Sequence, residues 1–365
     1  MNDAGFSTGR LLALYDRICE APDAIARLRR FVLDLAVRGK LVEQDPADEP
    51  ASELLKRIAT EKARLVRDGK FKTLEATLER DVGRFPFPIP ENWSWCYLDD
   101  VAAVARGGSP RPIKSFLTDD PNGIPWIKIG DSTRGSIYIN ETQERIKPEG
   151  LAKSRLVTPG DLLLSNSMSF GFPYITNVEG CIHDGWLVIR TPEDQVDKLF
   201  LHKVFLSDHA KAAFAEAASG AVVQNLNAEK ARQLPVPLPP LAEQRRIVAK
   251  VAELMALCDR LEEERTRREA LRDRLTTASL ARLTTHDADD EAFKSHARFA
   301  LDNLPALTAR PDQTKSLRQT IVNLAVRGKL VKQGPAEEPA AEQIVRIAEA
   351  KSATKGRKGA RAKGL

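Results

Sequence analysis

Residues 235–283 read PVPLPPLAEQRRIVAKVAELMALCDRLEEERTRREALRDRLTTASLARL, and this stretch predicts a long helix entered by an extended segment. The four prolines at its start fix φ and remove backbone donors, so they favour an extended chain. No proline or glycine interrupts the run from Leu241 to Leu283. Apolar residues in this run step by four and three, which is typical of a coiled-coil-type helix. They are Ile247, Val251, Leu254, Cys258 and Leu261. At about 1.5 Å per residue the helix would span roughly 60 Å.

An internal repeat flanks the middle of the chain. The sequence LAVRGKLV occurs at residues 35–42 and again at 324–331, and a PAxEPA turn follows each copy. The surrounding sequences, from Leu28 and from Leu317, align throughout. Chance similarity of two amphipathic helices cannot produce eight identical residues and the same loop, and the offset of 289 residues is far too long for a solenoid. The repeat therefore predicts a modular array: a helical segment, a globular domain, a long helix and a second helical segment.

Short β-type runs bounded by turn residues lie between the two copies and predict a sheet. They are residues 124–131, 136–139, 161–167, 174–178 and 185–190. Amphipathic patterns predict helices, and Gly39 is a plausible stop for the first of them. These helices cover residues 10–43, 51–68 and 198–218, with a loop at 219–227. The predicted fold class is α+β, with a globular α/β domain flanked by long coiled-coil-type helices and a repeated helical segment.

The run PLPPLAEQRRIVAKVAELMALCDRLE closely resembles the central conserved region of specificity subunits of type I restriction-modification enzymes. The motifs IPENWSW, IPWIKIGD, PGDLLLSNS and SGAVVQNLN, in that order, extend the resemblance to roughly residues 10–350. The family pattern has two target-recognition domains separated by repeated conserved segments. This sequence shows one such domain and runs, after its second repeat copy, into a basic tail. We therefore expect a half-length subunit, or a truncated or split form of a longer one.

The resemblance and the repeat together divide the chain into five predicted segments. These are an N-terminal helical segment at 1–84 with repeat copy 1 at 28–64, a target-recognition domain at 85–234, a central long helix at 235–284, a second helical segment at 285–350 with repeat copy 2 at 317–353, and a basic disordered tail at 351–365.

Composition sets limits on the class of protein. The net charge of +5 is a mild bias toward nucleic acid. The sequence contains no run of 18 apolar residues, the length that a membrane span needs. The N-terminus lacks the pattern of a secretory signal, so a cytoplasmic location is expected. The four cysteines are widely spaced and are expected to be reduced and packed. Cys181 and His183 lack partners for a zinc site, so no metal site is predicted.

Catalytic motifs are missing from the sequence. There is no GxGxxG after a strand, no GxxxxGK[ST], no HExxH and no Asn-Pro-Pro-Tyr. The acids Asp161, Glu179 and Asp184 cannot be placed in a nuclease pattern, and His183 is more often a packed or turn residue than a base. The chain is therefore predicted to be non-catalytic and to bind no cofactor. The resemblance implies that S-adenosylmethionine, ATP and Mg belong to partner subunits only.

The loops of the central domain are the predicted DNA face. DNA reading needs side chains that reach base edges, and cations and amides that hold phosphates. For each loop residue alone, an ordinary polar surface role is the alternative, so the prediction concerns the set. Its members are Arg106, Ser109, Arg111, Lys114, Lys128, Ser132, Arg134, Ser165, Asn166, Ser167, Tyr174, Gln224, Asn225 and Asn227.

The predicted function is that of a DNA-specificity subunit that reads one half of a bipartite target in double-stranded DNA. The resemblance implies docking of methyltransferase subunits and of a restriction or motor subunit. A homodimer or a second half-subunit would supply the other reader, although the segment from Leu28 to Val42, or its copy, could instead cover the apolar seam of the long helix. The alternative is a coiled-coil scaffold protein whose globular domain binds protein. A standalone nuclease or methyltransferase is disfavoured by the missing motifs.

Overall fold

The computed structural model describes a large part of the chain. The described residues are 21, 23–68, 85–166, 171–192, 194–218, 226–285, 289–331, 334 and 336–361. The chain divides into two compact units, Met1–Glu262 and Glu263–Leu365. This division falls inside the segment predicted as the central helix, and the finer predicted boundaries stay a prediction. In the part of the chain that the structure describes, no helix is long and apolar enough to cross a membrane.

The first repeat copy forms two helices, α1 (Ala24–Val37) and α2 (Ala51–Arg67). Gly39 follows α1 with a φ of +67°, and the amide of Lys40 donates to the carbonyl of Leu35 at 2.9 Å. This left-handed glycine ends the helix as the sequence predicts. Both confirm predicted helices, but the first was predicted over residues 10–43 and ends at Val37, because the chain turns at the left-handed Gly39. Residues 10–20 and 22 of the predicted first helix lie outside the described residues.

The central domain contains short strands and helices. Its strands are β1 (Ser94–Tyr97), β2 (Ala103–Arg106), β3 (Leu117–Thr118), β4 (Ile124–Ile127), β5 (Tyr138–Ile139), β6 (Glu144–Ile146), β7 (Arg155–Val157), β8 (Leu162–Ser165), β9 (Pro173–Thr176), β10 (Gly180–Ile182), β11 (Trp186–Arg190) and β12 (Pro235–Leu238). Its helices are α3 (Leu98–Val101), α4 (Lys198–Leu206), α5 (Asp208–Ala218) and α6 (Ala228–Arg232). The five predicted β-type runs are confirmed as β4, β5, β8, β9 and β11.

Two five-stranded sheets build the domain, in the orders β3-β6-β4-β10-β7 and β2-β11-β8-β9-β5. The packing of strand β8 explains its uninterrupted apolar run at residues 162–164. Leu162 and Leu164 are buried in the cluster that includes the helices, while Leu163 is buried with Ile127 and Ile182 of the other sheet. Both faces of β8 are covered, and a strand covered on both faces reads as a continuous apolar run.

The proline-rich approach at residues 235–238 is extended, as predicted, and forms β12. It pairs antiparallel with β1, with Ser94 opposite Leu238 and Tyr97 opposite Pro235. Strand β12 has β1 as its one partner in a two-stranded sheet. Prolines are tolerated in such a strand because an edge needs no hydrogen bonds on its outer side. The pairing itself was not predicted, since it joins residues about 140 positions apart.

The predicted long helix is confirmed as α7 (Leu241–Thr284), an uninterrupted helix of 44 residues. Near its start, Ile247 and Val251 are buried in one cluster with Val32 of α1 and with Phe200 of α4. Arg29 of α1 also pairs with Asp259 and Glu262 at 2.6 and 2.8 Å. The first repeat copy therefore covers this part of the seam within the same chain. Later in the seam, Leu261 is 43% exposed and Leu271 is 52% exposed.

The LAEQRR motif at residues 241–246 joins the start of α7 to the loop that follows the first LAVRGKLV, through hydrogen bonds and an ion pair. The amide of Gln44 donates to the buried carboxyl of Glu243 at 2.6 Å, and Arg246 pairs with Asp48 at 2.6 Å. The buried side chain of Gln244 donates to the carbonyl of a proline in the approach, at 3.0 Å. Burial raises the pKa of the Glu243 carboxyl above its usual value. The motif is therefore explained by packing and hydrogen bonding rather than by chemistry on a ligand.

The second unit holds the end of α7 and four further helices within its described residues. They are α8 (Asp290–Asp302), α9 (Leu304–Leu307), α10 (Pro311–Val326) and α11 (Ala340–Arg361). Its buried cluster contains Leu280 and Leu283 of α7, Ala300, Leu307 and Leu324. Helices α10 and α11 correspond to α1 and α2 of the first repeat copy, and they confirm a helical second segment. The prediction of a disordered tail from residue 351 is wrong for residues 351–361, where α11 continues because no proline interrupts it.

The two repeat copies end their first helix in the same way. Gly328 has a φ of +68°, and the amide of Lys329 donates to the carbonyl of Leu324 at 2.9 Å. These positions are the counterparts of Gly39, Lys40 and Leu35 at the repeat offset. Identical sequence thus gives an identical local structure, including the left-handed glycine.

The same two helices bury different faces. In α1 the buried residues include Val32, Leu33, Ala36 and Val37. Their counterparts in α10 are exposed, namely Ile321, Val322, Ala325 and Val326. Helix α10 instead buries Leu324, in the cluster with Leu280 and Leu283, and Thr320 one turn before it. The counterpart of Thr320 is Phe31, which is 57% exposed. Each copy of this helix therefore presents one apolar face that its sister copy buries.

Candidate nucleic-acid interface

Four of the predicted DNA-face residues converge on Asp184, in the turn between β10 and β11. The hydroxyl of Ser109 donates to Asp184 Oδ1 at 2.7 Å, and Arg111 Nη2 donates to Oδ2 at 3.4 Å. Arg106 Nε and Asn166 Nδ2 donate to the Asp184 carbonyl at 2.9 and 3.0 Å. The structure thus joins the loop after β2, the end of β8 and the β10–β11 turn through one residue.

The electrostatic state of Asp184 follows from these partners. The hydrogen bond from Ser109 is the main cause that lowers the pKa of the Asp184 carboxyl, and the charge of Arg106 adds to it, against a smaller effect of burial. The carboxyl is therefore ionised at neutral pH, and it accepts hydrogen bonds at both oxygens.

Gly107 allows the loop after β2 to lie against the β10–β11 turn. Its amide donates to the carbonyl of Trp186 at 2.9 Å, and a Cβ added to it would lie 2.1 Å from the carbonyl oxygen of His183. The amide of Gly108 donates to the carbonyl of Ile182 at 3.2 Å. Backbone can approach backbone this closely only where no side chain intervenes. Packing therefore requires the two glycines that open the turn at residues 107–110.

A second group of predicted residues lines a cavity of about 140 Å³. Its lining residues are Ile129, Ser132, Arg134, Ser165, Phe172 and Tyr174. The guanidinium of Arg134 lies 5.0 Å from the centre of the Phe172 ring, within the range of a cation–π contact. The buried hydroxyl of Ser165 accepts from the amide of Phe172 at 3.0 Å. This group combines an exposed cation with an apolar, partly enclosed floor.

The two groups are neighbours. Ser165 of the cavity precedes Asn166 of the Asp184 group, and His183 precedes Asp184 itself. The amide of Ile129, which lines the cavity, donates to His183 Nε2 at 3.2 Å. Burial is the main cause that lowers the pKa of His183, so the imidazole is neutral at physiological pH. His183 is thus a packed turn residue that joins the two groups, in line with the sequence-based preference against a catalytic role.

The remaining predicted residues have separate surroundings. Lys128 pairs with Glu144 at 2.6 Å, and Lys114 is an exposed residue in the short turn Ile113–Ser115. The side chain of Asn227 accepts from the amide of Lys230 at 2.8 Å and caps α6. Ser167, Gln224 and Asn225 lie outside the described residues. Whether any of these residues contacts DNA stays a prediction.

Burial separates the predicted set into two kinds. Ser165, Asn166 and Tyr174 are 1%, 0% and 6% exposed, so they shape the loops from inside in this structure. Arg106, Arg111 and Arg134 are exposed, and such cations are the groups that hold DNA phosphates. This difference was not predicted, because burial of these side chains depends on contacts between distant segments.

Sequence reasoning missed two residues that organise the interface. The sequence presents Asp184 as an isolated acid, because three of its partners, Arg106, Ser109 and Arg111, lie 73 to 78 residues away in the chain. Arg155 Nε donates to the carbonyl of Arg106 at 2.7 Å. Burial, and then the charge of Arg190, lower the pKa of Arg155. No local pattern distinguishes either residue, because both roles depend on contacts between distant segments.

Candidate metal ligands and thiols are dispersed over the described ranges. Among those residues no group of three or more His, Cys, Asp or Glu could hold a metal ion. The described cysteines Cys96, Cys181 and Cys258 are buried and form no disulfide, while Cys19 lies outside the described part.

Residues 90–270 match a family model described as the type I restriction modification DNA specificity domain. The matched range contains both groups of loop residues and the first part of α7. The chain carries a type I restriction-modification DNA specificity domain. The resemblance stated from the sequence is thereby confirmed.

Curated relatives extend the similarity over most of the chain. The EcoAI specificity subunit of Escherichia coli is 33% identical over 336 residues, which cover 90% of this chain and 56% of that protein. The EcoEI specificity subunit of the same organism is 34% identical over 340 residues, which cover 90% and 55%. The chain spans about half the length of these relatives. Their names agree with the prediction of a specificity subunit rather than an enzyme.

Solved structures give weaker matches. One, titled as the structural basis of complex assembly and conformational transition of the type I R-M system, covers 73% of this chain and 55% of that one, at 22% identity and a TM-score of 0.41. The HsdS subunit from Thermoanaerobacter tengcongensis covers 81% and 57%, at 20% identity and a TM-score of 0.38. Scores in this range do not establish a shared overall arrangement.

Proposed function

We propose that this chain is the non-catalytic DNA-recognition component of a type I restriction-modification complex. The observation that carries the proposal is the position of the exposed Arg106, Arg111 and Arg134 within the matched specificity domain, on loops joined through Asp184 and His183. Cations on a fixed set of loops suit phosphate binding, and the polar groups between them suit base reading. The family match does not favour the alternative of a coiled-coil scaffold.

One recognition domain would read one half of a bipartite target. The uneven burial of the repeat copies supports a second reader. In copy 1 the Val32 face of α1 is buried against Phe200 and Val204 of the recognition domain, whereas the counterpart face of α10 is exposed. A second recognition domain would cover that face in the same way. A homodimer or a second half-subunit would supply it.

Partner subunits would supply the chemistry. Two copies of a helical segment around one reader suit the docking of two copies of a methyltransferase subunit. A restriction or motor subunit would join them. S-adenosylmethionine, ATP and Mg would be bound by those partners. A cytoplasmic location follows from cellular DNA as the substrate.

Helix α7 would set the distance between the two readers. Its 44 residues correspond to about 66 Å if the helix is straight. An uninterrupted helix keeps a fixed length, so it would fix the number of unread base pairs between the two half-sites.

The test compares two doubly substituted chains in the complex with the methyltransferase partner. R106A/R134A removes two cations of the interface, and R30A/R67A removes two exposed cations of α1 and α2. We expect R106A/R134A to weaken DNA binding or alter the methylated motif, and to lower the slope of log affinity against log salt by about two. The control should keep the wild-type slope. Equal slopes and motifs for the wild type and both variants would contradict the proposed DNA face.

A further inference from the structure

We infer that Asp184 is a positioning residue whose carboxylate holds the DNA-reading loop after β2 in one arrangement. The inference rests on the proposed function and deepens it. A carboxylate among cations that face DNA would repel the phosphates, so its presence needs a compensating role. Asp184 has 41% of its side chain exposed, beside Arg106 and Arg111, so it carries this cost.

The contacts of Asp184 show what that role is. Its Oδ1 accepts from Ser109 at 2.7 Å, and its own amide lies 3.3 Å from the same hydroxyl, so the two residues are joined in both directions. Its Oδ2 accepts from Arg111 at 3.4 Å. The Asp184 carbonyl separately holds Arg106 and Asn166. The carboxylate therefore fixes the far half of the loop, residues 109–111, while the backbone of the turn fixes the near half.

The near half of the loop is already anchored through its backbone. The amides of Gly107 and Gly108 donate to carbonyls of the β10–β11 region, and a Cβ at either glycine would collide with backbone atoms. Beyond Gly108, Pro110 is buried and the Asp184 amide contacts the Ser109 hydroxyl at 3.3 Å. The carboxylate therefore adds the shorter bond to Ser109 and the contact with the Arg111 side chain. Arg111 is 77% exposed, so its position depends on Ser109 and Asp184 rather than on packing.

The consequence for DNA reading is a gain in selectivity. A loop that is ordered before binding loses less conformational entropy on the correct sequence. A loosened loop can still reach phosphates on any sequence, and it carries one negative charge fewer. Removal of the carboxylate should therefore weaken binding to the cognate duplex while leaving binding to other duplexes equal or stronger.

The experiment uses the full chain in the complex with its methyltransferase partner. It measures affinity for a duplex carrying the methylated motif and for a scrambled duplex of the same length. We expect D184A to lower the cognate-to-scrambled ratio about ten-fold, which is the effect of losing a hydrogen bond to a charged group. D184N keeps an oxygen acceptor for Ser109 and should stay within about three-fold of the wild-type ratio.

Two further variants keep the inference open to contradiction. E179A removes an exposed acid at the start of β10, away from the loop, and should leave the ratio unchanged. S109A removes the same hydrogen bond from the other side, so it should lower the ratio as D184A does, and the double variant should add little. A ratio unchanged in both D184A and S109A would overturn the role of Asp184. A wild-type complex that does not distinguish the duplexes would overturn the proposed function together with it.

Discussion

At the scale of single residues, Gly107 allows the loop after β2 to lie against the β10–β11 turn, because it has no side chain. An added Cβ would stand 2.1 Å from the His183 carbonyl oxygen, so G107A must displace backbone. We expect G107A to destabilise the fold by about 1–3 kcal/mol and to reduce DNA selectivity. G130A is the control, because its Cβ would meet no atom within 4 Å. Tryptophan fluorescence during urea unfolding reports this unit, since all four tryptophans lie in it. Equal midpoints for G107A and G130A would contradict the contact.

His202 gives a prediction about pH. Burial, and then the charge of Lys203, lower its pKa to about 3, below an unfolded value of 6.5. The unfolded chain therefore binds the proton more tightly, and stability falls as the pH drops below 6.5 toward 3. Between pH 7 and pH 5 the free energy of unfolding should fall by about 2 kcal/mol from this residue. Urea unfolding of H202L should lack this part of the pH dependence, and an equal pH slope in H202L and wild type would contradict it.

The sequence alone was enough to predict the exposed cations of the interface. It was not enough to predict the groups that hold them. Arg106, Arg111 and Arg134 stand beside turn-forming residues, and local composition is enough to place such residues on a surface. The buried state of Asn166 and the central position of Asp184 depend on which distant loops meet. That information is absent from the local pattern of either residue.

At the scale of elements, the repeat provides paired positions with opposite burial. Ile58 of α2 is fully buried, and its counterpart Ile347 of α11 is 53% exposed. We expect I58A to destabilise the protein by about 2–5 kcal/mol, because it leaves a cavity. I347A should change stability by no more than about 0.5 kcal/mol in the isolated chain. Circular dichroism during urea unfolding measures both variants, and equal costs would contradict the difference in packing.

Helix α7 gives a prediction about target spacing. Seven residues inserted after Arg265 keep the heptad seam and lengthen the helix by about 10 Å, or roughly three base pairs. If α7 fixes the distance between readers, the unread spacer of the methylated motif should lengthen. The same seven residues inserted after Thr285, beyond the end of the helix, should leave the spacer unchanged. A constant spacer in both variants would contradict the role of α7 as a ruler.

Sequence alone predicted the helices and strands whose pattern of apolar residues is local. The period of α7 and the apolar runs of β8 and β11 reflect their own burial, so sequence alone located them. The pairing of β12 with β1 and the choice of buried face in α1 and α10 were not predictable. The two related helix sequences bury one face against α4 and α7 in the first unit and another face in the cluster with Leu280 in the second.

At the scale of the whole molecule, the repeat and the specificity domain define a modular protein. The apolar residues of α10 and α11 that remain exposed in the second unit are numerous, and they include Val326 at 84% exposure. Val322 and Val326 lie one helical turn apart on α10 and are both exposed, and exposed apolar side chains grouped on one face mark an interaction site. The sequence predicted the module order from the repeat, whereas the uneven burial of the two copies became visible only in the structure.

Methylation mapping of cells that carry this chain with its methyltransferase partner tests the central claim most directly. The account predicts a methylated split motif that appears only when the chain is present and that changes or weakens in R106A/R134A. A palindromic motif would identify a homodimer as the complete reader, since twofold protein symmetry requires a twofold target. A non-palindromic motif would identify a second, different reader. A methylation pattern that is the same with and without the chain would contradict its role in DNA recognition.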